Sequence, residues 1–311
     1  MSARRLLQLI LLVQACCGVA LAGALLWFGV LSSPWAAAAL AALFVLLVRM
    51  AITANNFVLT ARYSSATPDD LQLGLQGGLR LYLDEFIATL THTSWFMARA
   101  RACERIYPDS DYPPVLLLHG YGCNSGYWAH LIPRLDAAAI SHAALDLEPM
   151  MGAIDDYVPM VQRAVDGLCD RTGCAGVIIV AHSMGGLVAR AYMRACGSER
   201  VRHVFTLGTP HHGTSLANLG VGRNAVQMRR NNADAAESAW LRELAASESA
   251  HTRSLITSMF THHDNIVAPQ TSSVLPGARS IEFGGVGHVA MGRNSRILTR
   301  LMQEIAMMCI R

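Results

Sequence analysis

Hydrophobic and polar residues follow two different patterns along this chain. The first 60 residues hold two long apolar runs, at residues 6–31 and 36–48. From residue 115 onward, short apolar runs of strand length alternate with segments in which apolar residues recur at helical spacing. Strands that alternate with helices indicate a mostly parallel, doubly wound sheet with helices on both of its faces.

The alternating part of the chain can be divided into individual elements. The predicted strands are residues 115–119, 143–147, 177–180, 201–207, 255–260 and 280–283. The predicted helices are residues 127–138, residues 154–168, a helix that begins near Met184 and a last one that begins at Asn294. An insertion at residues 214–253 follows the fourth strand, and it is interpreted either as a short cap over a site or as a surface excursion.

The first apolar run predicts a transmembrane helix. It carries no charge and is longer than the ~20 residues that span a bilayer. It is too long for a cleavable signal peptide, and no clean A-x-A site follows a short apolar core. The second run reaches residue 52 if Arg49 extends its charge to the membrane surface, which makes it marginally long for a span. We expect a helical hairpin; the alternative is one span with an interfacial helix.

The arginines around these runs predict an orientation. The turn at residues 32–35 has no charge, whereas arginines lie before the first run and at or after the second, namely Arg4, Arg5, Arg49 and Arg62. The positive-inside rule then places both ends of a hairpin, and the rest of the chain, on the cytoplasmic side of a bacterial inner membrane. A single span would place the rest outside, where Cys169 and Cys174 could form a local disulfide.

Residues 61–112 are predicted to connect a membrane anchor at residues 1–60 to the domain of alternating strands and helices at residues 113–311. Thr67, followed by Pro68 and two acidic residues, is typical of a helix start. Apolar residues then recur on one helical face, at Leu71, Leu75, Leu79, Tyr82, Phe86 and Leu90. This amphipathic segment is interpreted as packing on the catalytic domain, with an alternative in which it lies on the membrane.

Composition narrows the classes of function. The chain of 311 residues is 52% hydrophobic and only 15% charged, which favours membrane segments. A net charge of +3 gives no reason to expect a nucleic-acid partner. All 25 basic residues are arginine, which excludes lysine Schiff-base chemistry and a P-loop lysine. The eight cysteines show no metal-ligand spacing, so we expect neither a metal nor another cofactor.

Ser183 is the candidate nucleophile. A buried strand ends just before it and a helical pattern begins at Met184, so the serine lies on a sharp strand-to-helix turn that exposes its hydroxyl. Such a turn needs small residues two positions before and after the serine, and Ala181 and Gly185 satisfy this requirement. The alternative interpretation is an ordinary serine that caps the helix.

A serine nucleophile needs a base and a carboxylate that orients the base. Asp264 follows the fifth predicted strand and His288 follows the sixth, so both belong to loops at the carboxyl edge of the sheet, where Ser183 also lies. Catalysis further needs donors for the oxyanion of the tetrahedral intermediate. The candidates are the backbone N–H groups of Met184 and of Tyr121, which follows the first strand.

From about residue 113 onward, the chain resembles lipases and esterases of the α/β-hydrolase fold, especially bacterial triacylglycerol lipases. The resemblance rests on the segments His119-Gly-Tyr-Gly122, Ala181-His-Ser-Met-Gly185, Gly208-Thr-Pro-His-His-Gly213, Gly287-His288, and Asp264 in an Asp-x-x-Val-x-Pro setting. It implies Ser183 as nucleophile, Asp264 as orienting acid, His288 as base, and Tyr121 and Met184 as oxyanion donors. The chain departs from the family pattern at Ala181, where glycine is usual, in its short insertion and in its apolar N-terminus.

These observations predict a membrane-anchored hydrolase of carboxylic esters, with an apolar ester or lipid as its substrate. One alternative is an acyltransferase that passes the same acyl-enzyme to an alcohol. A second alternative is a non-catalytic scaffold anchored to the membrane. The complete set of Ser183, Asp264 and His288 argues against the scaffold.

Overall fold

A seven-stranded sheet forms the centre of the protein in a computed structural model that describes residues 2–309. Its strands are β1 (Cys103–Arg105), β2 (Val115–Leu118), β3 (His142–Ala144), β4 (Val177–His182), β5 (Val201–Leu207), β6 (Ile256–Thr261) and β7 (Arg279–Phe283). Their order in the sheet is β1-β3-β2-β4-β5-β6-β7. Every neighbouring pair is parallel except β1 and β3. The predicted mostly parallel sheet is thereby confirmed.

Strand β1 was not predicted from the sequence. It is only three residues long, and all three are exposed, so it carries no apolar pattern. It lies antiparallel at the edge of the sheet, where Glu104 pairs with Ala143. Short exposed edge strands of this kind leave no periodic signal in a sequence.

The α-helices surround the sheet and extend the chain at its N-terminus. They are α1 (Ala3–Trp27), α2 (Pro34–Ala61), α3 (Leu75–Thr91), α4 (Met97–Arg99), α5 (Ile132–Ala137), α6 (Val158–Thr172), α7 (Met184–Cys196), α8 (Arg223–Gln227), α9 (Ala239–Ser247), α10 (Ala250–Ser254) and α11 (Ser295–Ala306). The predicted helices at 127–138 and 154–168 each begin as a 3-10 segment, and α5 and α6 start later. A proline in the first turn of each α-helix, Pro133 and Pro159, explains the break, because proline cannot continue a helix that precedes it.

The sheet separates two hydrophobic cores, as the strand period of two requires. On one face, Leu116, Leu118 and Ile179 pack with side chains of α6 and α7. On the other face, Val115, Leu117 and Ile178 pack with side chains that include those of α11. Strand β4 is the middle strand of the seven and is buried along its whole length. The turn that follows it therefore lies over the middle of the sheet.

The two N-terminal apolar helices pack against each other as a pair. By length and composition, α1 and α2 are both long enough and apolar enough to cross a membrane. The second helix was expected to be marginal, but it continues to Ala61 and has 28 residues, or about 42 Å at ~1.5 Å per residue. Polar residues such as Asn55 and Asn56 continue the helix beyond the predicted apolar run, so the helix is longer than its apolar part.

Helix α3 differs from the prediction in both its start and its buried face. It begins at Leu75, with Gly74 as its N-cap, and a separate 3-10 turn at Asp69–Leu71 precedes it. Two residues of the predicted apolar face are exposed, Leu75 at 94% and Leu79 at 56%, whereas Phe86 is buried as expected. The residues that are buried are Leu81, Glu85, Phe86 and Ala88. The helix therefore packs through a face that contains a carboxylate, which apolar periodicity cannot identify.

The insertion at residues 214–253 is an ordered part of the domain. It contains a 3-10 segment (Ser215–Leu219) and the helices α8 and α9, with α10 at its end. Leu241 and Leu244 of α9 are fully buried and belong to the core that α7 also enters. The eight cysteines, all within the described residues, are free thiols, including Cys169 and Cys174.

Candidate active site

Ser183 occupies a sharp turn between the end of β4 at His182 and the start of α7 at Met184. Its backbone has φ 53° and ψ −124°, a conformation that L residues rarely adopt and that costs about 1–3 kcal/mol. The Ser183 N–H donates to the Leu207 carbonyl at 2.9 Å, and the Thr209 hydroxyl donates to the Ser183 carbonyl at 2.8 Å. These bonds from β5 and its loop hold the strained turn.

The environment of Ser183 disfavours the helix-capping interpretation. Its side chain accepts no capping hydrogen bond from α7. The turn also crowds its neighbours: a Cβ at Gly185 would clash with the Leu118 carbonyl, and a Cβ at Gly120 would lie 2.8 Å from the Ser183 Cβ. Ala181 is fully buried, so the alanine found in place of the usual glycine is accommodated. Within residues 2–309, the Ser183 side chain makes no hydrogen bond that caps α7.

Asp264 and His288 are joined by a short hydrogen bond. His288 Nδ1 donates to Asp264 Oδ2 at 2.7 Å, and both residues are buried. The other carboxylate oxygen, Oδ1, accepts the N–H groups of Ile266 at 2.8 Å and Val267 at 2.7 Å. With acceptor bonds on both oxygens, the carboxylate has a single orientation, and it leaves Nε2 of His288 as the ring nitrogen available to a reactant.

The pKa of His288 is raised above its ordinary value. Burial acts to lower it, but the negative charge of Asp264 and the hydrogen bond to Asp264 act in the opposite direction and prevail. The charge of Glu85 also raises it. A general base must be unprotonated before it can accept a proton, so this shift would move the acid limit of any reaction that uses His288 as its base to higher pH.

Ser183 and the histidine lie in one contiguous cluster. His182, next to the serine, donates from Nε2 to the His288 carbonyl at 3.3 Å. A Cβ at Gly208 would lie 3.1 Å from Asp264 Oδ2 and 3.2 Å from His288 Nδ1, and the next residue, Thr209, holds Ser183. Among the hydrogen bonds of the described residues, none joins the Ser183 hydroxyl to His288, and in unliganded enzymes such bonds are commonly long.

Two backbone N–H groups border the same turn. Among the turns, loops and caps of the described residues, the backbone N–H groups of Tyr121 and Met184 donate no hydrogen bond to another backbone group. Met184 is the first residue of α7, where an N–H group has no intrahelical acceptor. The Tyr121 hydroxyl donates to the Val221 carbonyl at 2.7 Å, which ties the loop after β2 to the insertion. His119 supports this loop, with Nδ1 bonded to the Gly120 carbonyl at 2.9 Å.

Glu85 of α3 is a residue of this cluster that sequence analysis missed. It is fully buried, and its two oxygens accept the N–H groups of Val289 at 3.0 Å and Ala290 at 2.8 Å, directly after His288. Burial raises the pKa of the Glu85 carboxyl, and these two hydrogen bonds act in the opposite direction. The only signal in the sequence was an acidic residue inside an apolar helix, which is ordinarily a solvated position.

A buried ion pair supports the helix that follows the serine. Arg190 of α7 is fully buried, and it donates to both oxygens of Glu248, at 2.6 and 2.9 Å. Its remaining nitrogen donates to the His211 carbonyl at 3.1 Å. The bidentate pair connects α7 to the segment between α9 and α10, so the insertion is firmly attached behind the turn of Ser183.

A pocket of about 260 Å³ opens beside Ser183, and we refer to it as the serine pocket. Its polar lining residues are Ser183, Tyr121, Thr214 and Asn56, and most of the other lining residues are apolar. Its larger apolar side chains come from α2, the insertion and the loop after Asp264, namely Leu59, Leu216, Leu219, Met228, Ile266 and Val267. A pocket with this lining suits an apolar group attached to the atom that the serine attacks.

Comparison with known proteins agrees with the observed architecture. A model of the alpha/beta hydrolase fold family matches residues 113–290. The mature form of a lipase from Bacillus licheniformis superposes with a TM-score of 0.57 at 16% identity, over 66% of this chain and 97% of that chain. Lipase B of Aspergillus fumigatus superposes with a TM-score of 0.52 at 17% identity, over 66% of this chain and 58% of that chain. At these identities the likeness to the two lipases is one of fold.

Proposed function

The chain belongs to the α/β-hydrolase fold family, and from this membership and the geometry around Ser183 we propose that it is a serine hydrolase of carboxylic esters. The observation that carries the proposal is the strained Ser183 turn beside the 2.7 Å His288–Asp264 hydrogen bond. The two solved structures described above are lipases, which supports an ester as the substrate. The apolar lining of the serine pocket supports an apolar acyl group.

In the proposed reaction, the Ser183 hydroxyl attacks the ester carbonyl while Nε2 of His288 takes its proton. The N–H groups of Tyr121 and Met184 stabilise the oxyanion of the tetrahedral intermediate. Collapse of the intermediate breaks the bond to the alcohol, which receives the proton from His288. Water then attacks the acyl-enzyme with His288 again as the base. The bond between the acyl carbon and Ser183 Oγ breaks, the serine oxygen takes the proton from His288, and the carboxylic acid is released. Asp264 orients the imidazole and stabilises its charged form.

We expect covalent labelling and substitution at Ser183 to test this function. A fluorophosphonate should label the native protein at one serine, in the peptide that contains Ser183, and Ser183→Ala should lose both the label and the hydrolysis of p-nitrophenyl esters. Ser249→Ala, which changes an exposed serine at the N-cap of α10, is the control and should keep both. Labelling at a different serine, or ester hydrolysis that survives in Ser183→Ala, would contradict the assignment.

We further propose that residues 1–60 anchor the protein in a membrane, with residues 61–112 as a connector and residues 113–311 as the catalytic domain. The lengths and apolar surfaces of α1 and α2 support an anchor of two spans. An even number of spans leaves both ends of the chain on one side. The positions of the arginines then favour the cytoplasmic side.

The orientation can be tested with tags in intact cells. We expect a tag after residue 311 to be protected from added protease, and a tag inserted in the turn at residues 28–33 to be cleaved. Permeabilised cells provide the control, because both tags should then be cleaved. Cleavage of the C-terminal tag in intact cells would show that the catalytic domain lies outside.

A further inference from the structure

The serine pocket has one wall that lies outside the family-matched region. Asn56 and Leu59, on the same face of α2, line the pocket together with Ser183. In the same helix, the residues that precede Asn56 form the apolar segment that we propose to be a membrane span. The pocket beside the nucleophile therefore lies at the junction between the helical hairpin and the catalytic domain.

This wall is attached to the catalytic loops by hydrogen bonds. Just beyond α2, the N–H and hydroxyl groups of Ser65 donate to Gln270 Oε1, at 3.0 and 3.2 Å. The amide nitrogen of Gln270 in turn donates to the Asp264 carbonyl at 2.8 Å. The end of α2 is thus held in place relative to Asp264 through one side chain.

Exposed apolar side chains lie on the insertion, which lines the pocket, and on α3, which packs beside α2. On the insertion, Leu219 is 69% and Val221 is 62% exposed, and Val221 is bonded to the hydroxyl of Tyr121. Helix α3 runs beside α2, where the Tyr82 hydroxyl donates to the Met50 carbonyl at 2.8 Å. It exposes an apolar stripe at intervals of four residues, namely Leu75, Leu79, Leu83 and Ile87. Exposed apolar surface of this kind marks contact with a membrane or another apolar partner, and here it adjoins a helix of membrane-spanning character.

We propose that the protein takes its substrate from the bilayer that holds the hairpin, and that this substrate is an ester of a long-chain fatty acid whose acyl chain lies along Leu59 in the serine pocket. The proposal rests on the function proposed above and adds to it the substrate class and its route. The apolar surfaces of the insertion and of α3 place the pocket mouth at the membrane surface. An acyl chain then passes from lipid to pocket without exposure to water, which avoids the cost of hydrating it.

The role of Leu59 can be tested with full-length protein in detergent. Leu59→Trp should narrow the pocket and lower kcat/KM for p-nitrophenyl palmitate about tenfold or more, while kcat/KM for p-nitrophenyl acetate stays within about twofold. Leu59→Ala should widen the pocket and raise the ratio of kcat/KM for p-nitrophenyl palmitate to kcat/KM for p-nitrophenyl acetate. Val58→Trp is the matched control, because Val58 precedes Leu59 on the same turn but is 56% exposed and does not line the pocket.

The outcomes separate the two proposals. If Leu59→Trp and Leu59→Ala both keep the wild-type ratio of palmitate to acetate hydrolysis, Leu59 is not in the acyl pocket and the inference is wrong, even though the protein is an esterase. If wild-type protein hydrolyses neither ester, the proposed function itself fails. If Leu59→Trp loses hydrolysis of both esters, the ratio of palmitate to acetate hydrolysis measured for Leu59→Ala decides whether the inference holds.

The route from the bilayer is tested by reconstitution into phosphatidylcholine vesicles. Dioleoylglycerol placed in the same vesicles as the protein should be hydrolysed several times faster than the same amount in separate vesicles. Water-soluble p-nitrophenyl acetate provides the control, because its hydrolysis should not depend on which vesicles are present. Equal rates for the two placements of dioleoylglycerol would refute lateral access.

Discussion

Replacing His288 by alanine is expected to lower kcat/KM for a chromogenic ester by about 10⁴-fold or more, to the level that Ser183→Ala leaves. The two side chains act as a unit, because a serine without its base is a poor nucleophile and a base without the serine has no proton to accept. Steady-state kinetics on the purified variants measures the loss. His263→Ala is the matched control. His263 directly precedes Asp264 in the same loop, but its Nδ1 accepts the Gly285 N–H at 3.1 Å. If His263→Ala were inactive and His288→Ala active, His288 would not be the base.

Asp264→Asn extends the same prediction to pH dependence. It should leave more activity than His288→Ala, because the base remains even though its orientation is lost. The charge and hydrogen bond of Asp264 raise the pKa of His288 against the effect of burial. Their removal lowers that pKa, so the acid limb of the kcat/KM profile should move to lower pH in Asp264→Asn. A limb that does not move, or moves to higher pH, would exclude His288 as the group that titrates.

Replacing Glu85 by alanine is expected to destabilise the protein and to reduce its activity. The change leaves the N–H groups of Val289 and Ala290 without their acceptor, at about 1–3 kcal/mol for each buried group. The loop that carries His288 also loses its attachment to α3, so kcat should fall more than KM rises. Chemical denaturation measures the first effect and ester kinetics the second. Glu85→Gln keeps one oxygen acceptor, so its unfolding free energy and its kcat should lie between those of the wild type and of Glu85→Ala.

The neighbouring carboxylate provides the control for Glu85. Asp84 lies on the same turn of α3 but is partly exposed, and it is 3.8 Å from Arg293 in a surface ion pair. Such pairs contribute little, so Asp84→Ala should change the unfolding free energy by less than about 1 kcal/mol and leave kcat unaltered. Equal losses in Asp84→Ala and Glu85→Ala would mean that the helix as a whole, rather than the two hydrogen bonds, accounts for the effect.

The sequence predicted the sheet and the cluster around Ser183 because both depend on local signals. Strand β5 matches its prediction at both ends, and Asp264 and His288 each follow a strand that was predicted from the sequence. The turn at Ser183 was predictable for the same reason, since its crowding restricts the residues on either side. These features require no knowledge of which distant segments meet.

The parts that the sequence did not reveal depend on contacts between distant segments. Glu85 lies about 200 residues from the amides that it binds, and no pattern in α3 distinguishes it from a solvated carboxylate. Gln270 and Ser65 are equally distant. The predicted face of α3 was wrong in part for a related reason: Phe86 is buried as expected, but Leu75 and Leu79 are exposed whereas Glu85 is buried.

The attachment of Glu85 to the residues after His288 bears on how the enzyme is produced in soluble form. A fragment that starts at residue 113 contains the whole region matched by the family model, yet it lacks the carboxylate that binds Val289 and Ala290. It also lacks Ser65, which bonds to Gln270 near the Asp264 carbonyl. Truncation for expression should therefore retain Asn56 and Leu59 of α2, which line the serine pocket, together with every residue that follows them.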